Sequence, residues 1–537
     1  MSQLDLIIKS GIIVDGSGAP PFKADIGING DTIVKIGDLD GVKAERVINA
    51  SGLIVVPGFI DIHNHSDTDI FIVPTGDNYV MQGVTTLVIG NCGSSPAPLT
   101  DKNYNLTRNL ERKLVDKLGK IPWRTFSEYL KALDSLNKSV NIVPLVGHGT
   151  IRSAVLGDEN VQYTNRDLRE MKDLVKEAIE AGAFGLSTGL IYIPGMFAKT
   201  QEIVELTKVV SKYGGIYATH MRNEGNRLLD AVMEAITIGI ESNISVEISH
   251  LKASGIPAWG NVSKALALIE DYVRRGYDFS ADAYPYTASS TGLEAVLPSW
   301  AREGGMKKLV ERLSNSDIVN KIEKEMEDYG IMEERYLGWD QIVIANSESY
   351  REFEGKSISE IADKLGISPI KIVAKLLVDD NGTTSIIIHS MNENDVKDVI
   401  KHPLVAIGSD GSVKEFGKGK PHPRNYGTYP RILAKYVREL KVISLSEAIR
   451  KMTSLPARKL KLWDRGLIRP GFKADITIFN YYSIKDTATF ENPHQYPKGI
   501  KYVIVNGVIV VEENEHTKTK PGKLLKRSDM LYHISKI

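Results

Sequence analysis

The chain has 537 residues, long for one compact domain, and predicts one large domain with a smaller companion. Hydrophobic residues (42%) and charged residues (25%) are in ordinary globular proportion, and 67 Lys and Arg balance 67 Asp and Glu, so no net field points to nucleic acid or to an anionic membrane. One cysteine leaves no internal disulfide and fits a cytoplasmic setting, and apolar runs such as "LIVVPGFI" are too short to cross a bilayer.

In chain order, residues 1–56 read as short strands and turns: "LDLIIKSGIIVDG", "ADIGINGDTIVKIG" and "RVINASGLIVV". The first of these meets a glycine almost at once and does not read as a signal peptide. From 57 to 466, short apolar strands alternate with longer helical segments, the pattern of a parallel α/β sheet. The strand candidates are "GFIDIH", "TTLVIGN", "NIVPLVGHG", "AFGLSTG", "IYATHMR", "SVEISHLK", "DFSADAYPY", "TSIIIHS" and "LVAIGSDG". Helices are expected over "NRDLREMKDLVKEAIEAG", "TQEIVELTKVVSKYG" and "NVSKALALIEDYVRRG", each closed by glycine. Nine strands are one too many for an eight-stranded barrel. The stretch at about 290–395, rich in helix signals, Lys and Glu, is therefore expected as an insertion, either a lid over a site or an outgrowth away from it. Residues 467–537 return to the opening style in "GFKADITIFN" and "YVIVNGVIVVEENE", so both ends are expected to build one small β domain.

Nearly every strand candidate ends in a polar residue. His63 and His65 follow "GFIDI", Cys92 follows "TTLVIGN", His220 follows "IYAT", His250 and Lys252 follow "SVEIS", and Asp410 follows "VAIGS". In a (β/α)8 barrel the carboxy ends of the strands open onto one face, and alternate residues of a strand share a side, so His63 and His65 can converge. A lone strand-end histidine is more often structural, and His148, His389, His402 and His422 are read that way. Four histidines, one cysteine and one aspartate gathered at strand ends instead suit zinc.

The set "PGFIDIHNHSD", "GVTTLVIGNCGSSPAP", "THMRNEG", "SHLK", "DAYPYTASST", "IGSDG" and "HPRNYGTYPR" resembles the N-acyl-D-amino-acid deacylases (D-aminoacylases) of the amidohydrolase superfamily, in order along nearly the whole chain. The resemblance implies a TIM-like (β/α)8 barrel with a small β-sandwich domain formed by both termini. It implies that Cys92, His220 and His250 hold one tight Zn2+, and that His63 and His65, bridged by Cys92, form a second site that is weak or empty. It implies that Asp410 is the general base, and that Lys252, Tyr284 (or Tyr286), Ser290 and Arg424 contact substrate, with His63 or Tyr284 facing the oxyanion. The expected reaction is hydrolysis of a small N-acyl-D-amino acid to a carboxylate and a free D-amino acid. The alternatives are a cyclic-amide hydrolase of the hydantoinase or dihydroorotase kind, which has no α-carboxylate for Arg424 to bind, and a catalytically silent scaffold, which would have lost ligands.

Overall fold

The computed structural model describes residues 3–104, 112–332 and 337–534. The strands are β1 (Leu4–Ile13), β2 (Phe22–Asn29), β3 (Thr32–Gly37), β4 (Ala44–Asn49) and β5 (Ile54–Pro57), then β6 (Phe59–Asp61), β7 (Val84–Ile89), β8 (Asn141–Pro144) and β9 (Val146–Gly147). They continue with β10 (Gly185–Gly189), β11 (Ile216–His220), β12 (Ser245–Ile248), β13 (Phe279–Ala283), β14 (Ser289–Gly292), β15 (Ile342–Asn346), β16 (Ser385–Ile388) and β17 (Val405–Ile407). The last are β18 (Ile476–Phe479), β19 (Ile500–Val505), β20 (Val508–Glu512) and β21 (Glu515–His516).

The TIM-like barrel is built from β6 to β13 and β17, all parallel. β8 and β9 are one strand interrupted at Leu145, which donates its N–H to Ile89 on one side while Phe184 donates to Pro144 on the other. Past the last and first strands, Asn64 and Gly411 form a parallel bridge, flanked by Asp410 N–H to His63 O and His65 N–H to Gly411 O, both 2.8 Å. Strands such as β7 (VTTLVI) and β11 (IYATH) are buried along their whole length, as parallel strands covered on both faces must be. The helices between them follow their caps. Asn165–Ala181 starts on a capping box between Thr164 and Asp167, and Gly182, Gly214 and Gly276 close three helices at positive φ.

The surplus strand candidate, "TSIIIHS", is a strand but not a barrel strand. Its β16 is the centre of an antiparallel sheet, β14-β16-β15, lying in the chain between β13 and β17. That segment packs on an apolar cluster of its own, including Leu293, Ile322, Ile342, Ile361, Val373 and Ile386.

Among the described residues the remaining nine strands form one sheet in the order β21-β20-β19-β18-β5-β1-β2-β3, with β4 on β1. The two layers of the expected sandwich are parts of this continuous sheet. A bridge between Thr32 and Lys473 brings β3 back toward the lead-in to β18, and the sheet curls around Ile8, Ile26, Ile28, Val55, Ile476 and Ile504. Only Gly58 separates β5 in this sheet from β6 in the barrel; a Cβ there would stand 2.3 Å from the Thr85 side chain. Among the described residues no helix is long and apolar enough to cross a membrane.

Candidate active site

The polar residues at the barrel strand ends converge. The Sγ of Cys92 lies 3.3 Å from His63 Nε2, 3.6 Å from His220 Nδ1 and 3.5 Å from His250 Nε2. Sulfur at 2.3 Å and nitrogen at 2.0–2.1 Å from one tetrahedral zinc stand about 3.5 Å apart. Cys92 is therefore at metal-sharing distance from three histidines at once, and the donor set fits zinc. His65 Nε2 is 3.1 Å from Asp410 Oδ1, which is also 3.4 Å from His63 Nε2. The ligand atoms fall into two overlapping groups: His63, Cys92, His250 and Asp410, and His220, Glu224 and His250.

The backbone is bent to achieve this. Cys92 (φ 51°), His250 (φ 35°) and Asp410 (φ 51°) are non-glycine residues in the left-handed region, where each costs on the order of 1–3 kcal/mol. Surrounding bonds hold them there: Gly93 N–H donates to Ser187 Oγ at 3.0 Å, and His250 N–H to Asp282 Oδ1 at 2.9 Å. The glycine before Cys92 in "GNCG" has a direct cause, since a Cβ on Gly90 would stand 2.0 Å from the Leu145 carbonyl oxygen.

Burial pushes the Cys92 thiol up, but His63 and His250 outweigh it and bring it well below its ordinary value, so the metal-binding thiolate is favoured. Burial likewise raises the Asp410 carboxyl, and Arg424 and His250 draw it well below the usual carboxylate range. His65 is lowered by burial and raised by Asp410 and Cys92, ending at about 9.

Arg424 donates from Nη1 to Asp410 Oδ2 at 2.8 Å and from Nη2 to the Ser290 carbonyl at 3.3 Å. Its guanidinium lies 4.7 Å from the centre of the Tyr284 ring, and its Nε is buried without a hydrogen-bond partner. The Tyr284 hydroxyl is also buried and unpartnered, whereas Tyr286 packs on His422 and Phe490; Tyr284 is thus the tyrosine that meets Arg424. Lys252 Nζ is 2.6 Å from Glu224 Oε1. The histidines read as structural do lie outside the cluster. His148 pairs with Glu202, His389 packs on Phe490, His402 sits near Glu270, and His422 accepts from the Arg424 N–H.

Two acidic residues escaped the sequence reading. Glu224 backs His220 and His250, and Asp282, 3.3 Å from His63 Nδ1, backs His63. Their signals were the i,i+4 spacing from His220 and the inward position on β13, both weak in a chain with 67 acidic residues.

A cavity of about 560 Å3 opens over the cluster, touching His65, Cys92, His220, His250, Asp410 and Arg424. Thr291, Glu294, Met332 and Ile388, from the segment between β13 and β17, form part of its wall. A second cavity, about 300 Å3, adjoins Asp410 and Arg424.

A parallel barrel carrying histidine, cysteine and aspartate on its carboxy-terminal rim, joined to a sheet from both chain ends, defines a metal-dependent hydrolase of the amidohydrolase type. The chain belongs to the amidohydrolase family, whose model matches residues 46–511. It is 36% identical over 524 residues to a D-aminoacylase of Alcaligenes xylosoxydans xylosoxydans, covering 98% of each chain. It resembles the structure of an N-acyl-D-glutamate deacylase from Bordetella bronchiseptica, solved with zinc and a phosphonate mimic of the tetrahedral intermediate, with TM-score 0.83 and 32% identity over 98% of this chain and 100% of that one. A D-aminoacylase structure with a binuclear metal centre matches with TM-score 0.83 and 35% identity over the same shares.

Proposed function

We propose that the protein is a zinc-dependent hydrolase that cleaves N-acyl-D-amino acids to a carboxylate and a free D-amino acid. The observation that carries this reading is Cys92 at 3.3–3.6 Å from three histidines, beside an ionised Asp410. Relatives over almost the whole chain named for this chemistry support it. Cys92, His220 and His250 would hold the tighter zinc, with His63 and His65 contributing to a second, weaker site. Bound zinc supplies Lewis-acid polarisation of the scissile carbonyl and lowers the pKa of the attacking water.

Asp410, kept ionised by Arg424, takes the proton from that water and delivers it to the departing amine. Tyr284, whose phenol burial keeps neutral, is the donor we assign to the oxyanion, a charge that exists only near the transition state. Arg424 and Lys252, both on the wall of the cavity, receive the substrate α-carboxylate, with Ser290 beside them. We further read the chain as a catalytic barrel over 57–466, with the insertion at 290–395, between two parts of one small β domain. A cysteine serving as ligand suits the reducing cytoplasm, where we place the reaction.

The test is product release from a panel of N-acetyl D- and L-amino acids, with and without added zinc, beside the same substrates capped as α-carboxamides. Zinc-dependent turnover of D substrates is expected. Arg424→Lys should lose roughly 10- to 100-fold in kcat/KM on free carboxylates, since charge-assisted bonds contribute about 1.5–3 kcal/mol, but should lose little on capped ones, on which the wild type is already poor. Equal loss on both would make Arg424 a support for Asp410 alone. A preference for cyclic ureides over every N-acyl amino acid would overturn the deacylase reading.

A further inference from the structure

We propose that Glu224 is a positioning residue that sets the tautomer and ring orientation of His220 and His250, and so sets how tightly the metal is held. The inference rests on the reading of Cys92, His220 and His250 as the tighter metal site.

Glu224 is buried, four residues after His220 in "THMRNEG". Its carboxylate spans the backs of both rings, with Oε1 3.0 Å from His250 Nδ1 and Oε2 3.8 Å from His220 Nε2. The opposite nitrogens, His250 Nε2 and His220 Nδ1, face Cys92 Sγ at 3.5 and 3.6 Å. A neutral imidazole carries its proton on one nitrogen and a lone pair on the other, and a carboxylate only accepts. These are ion-pair distances, and a ring nitrogen that closes a hydrogen bond to Glu224 must hold the proton, which leaves the lone pair on the side of Cys92, where a shared metal needs it. His220 Nε2 is buried with no hydrogen-bond partner, and at 3.8 Å it needs a small approach to close this bond.

Lys252 pulls the other way. Its Nζ is 2.6 Å from Glu224 Oε1 and 2.7 Å from His250 Nδ1. An ammonium only donates, so a Lys252 bond to Nδ1 puts the His250 proton on Nε2, facing Cys92, and blocks the ligand. Glu224 and Lys252 thus form an ion pair whose members favour opposite tautomers of one ring. A pair that merely braced the fold would weaken the site in the same sense whichever member was removed.

The experiment loads the full-length enzyme with zinc and follows transfer of the metal to a coloured chelator, with folding checked by circular dichroism. Glu224→Gln keeps an acceptor without charge and should hold zinc about 10-fold more weakly; Glu224→Ala should approach about 100-fold, the range for loss of such partners. Lys252→Met should hold zinc at least as tightly as wild type. If Glu224→Ala does not fold, Glu224→Gln alone decides. Wild-type retention in the Glu224 variants overturns the proposal, as does a loss in Lys252→Met equal to that in Glu224→Gln. Cys92→Ser, run in parallel, separates the two levels: if it also keeps its zinc, the metal reading itself has failed.

Discussion

Asp410 illustrates how much one residue's surroundings decide. Its φ of 51° turns the carboxylate toward His63 and His65, and Arg424 holds it ionised. Asp410→Asn keeps the shape and suits the backbone, because asparagine tolerates the left-handed region well. The variant should retain its zinc while kcat falls at least about 10²-fold, the scale of general-base catalysis. An active Asn variant would remove Asp410 from proton transfer, and one stripped of metal would make it a ligand. The residues that come together here were legible because histidine and cysteine at strand ends are rare enough to stand out. Glu224 and Asp282 were not, because a carboxylate on a strand or after a turn is ordinarily solvated, and only the fold shows which histidine it backs.

At the scale of elements, local pattern found the strands but not their partners. "TSIIIHS" has the composition of a barrel strand and forms β16 in a different, antiparallel sheet, because periodicity reports burial and not which edge is adjacent. β14 is spelled Ser-Ser-Thr-Gly and carries no apolar alternation to detect, yet it contributes Ser290 and Thr291 to the cavity. We propose that the unit carrying β14 to β16 closes over substrate. With an apolar cluster of its own it can move as a body, and Thr291, Glu294, Met332 and Ile388 already wall the cavity. A bound product or a phosphonate inhibitor should slow limited proteolysis between residues 289 and 388. Cleavage at an unchanged rate would assign this unit to framework.

Stability against pH belongs to the whole molecule, and one barrel residue is expected to shape it. Glu247 on β12 is buried, with Ser280 donating to one carboxyl oxygen and the other unpartnered. Burial pushes its carboxyl up to about 8, against the partial relief of Lys459. Below about 4.5 both folded and unfolded chains hold this proton; between there and about 8 only the folded chain does, so stability falls as pH rises and the loss is complete above about 8. The full effect is on the order of a few kcal/mol. Glu247→Gln cannot ionise, so its Tm relative to wild type should climb between pH 5 and pH 8.5. Parallel curves for the two proteins would show that Glu247 is already ionised.

The pairing of β5 with β18 joins Ile54–Pro57 to Ile476–Phe479, near opposite ends of the chain. On a ribosome, about 420 residues must be made after β5 before that edge is covered, roughly 20–80 s at 5–20 residues per second. Throughout that interval the nascent chain exposes Val55 and its apolar neighbours on β1 and β2, which the finished protein shields with Ile476 and Ile504. The yield of soluble protein should therefore depend on growth temperature and on chaperone supply more steeply than its folded stability would suggest.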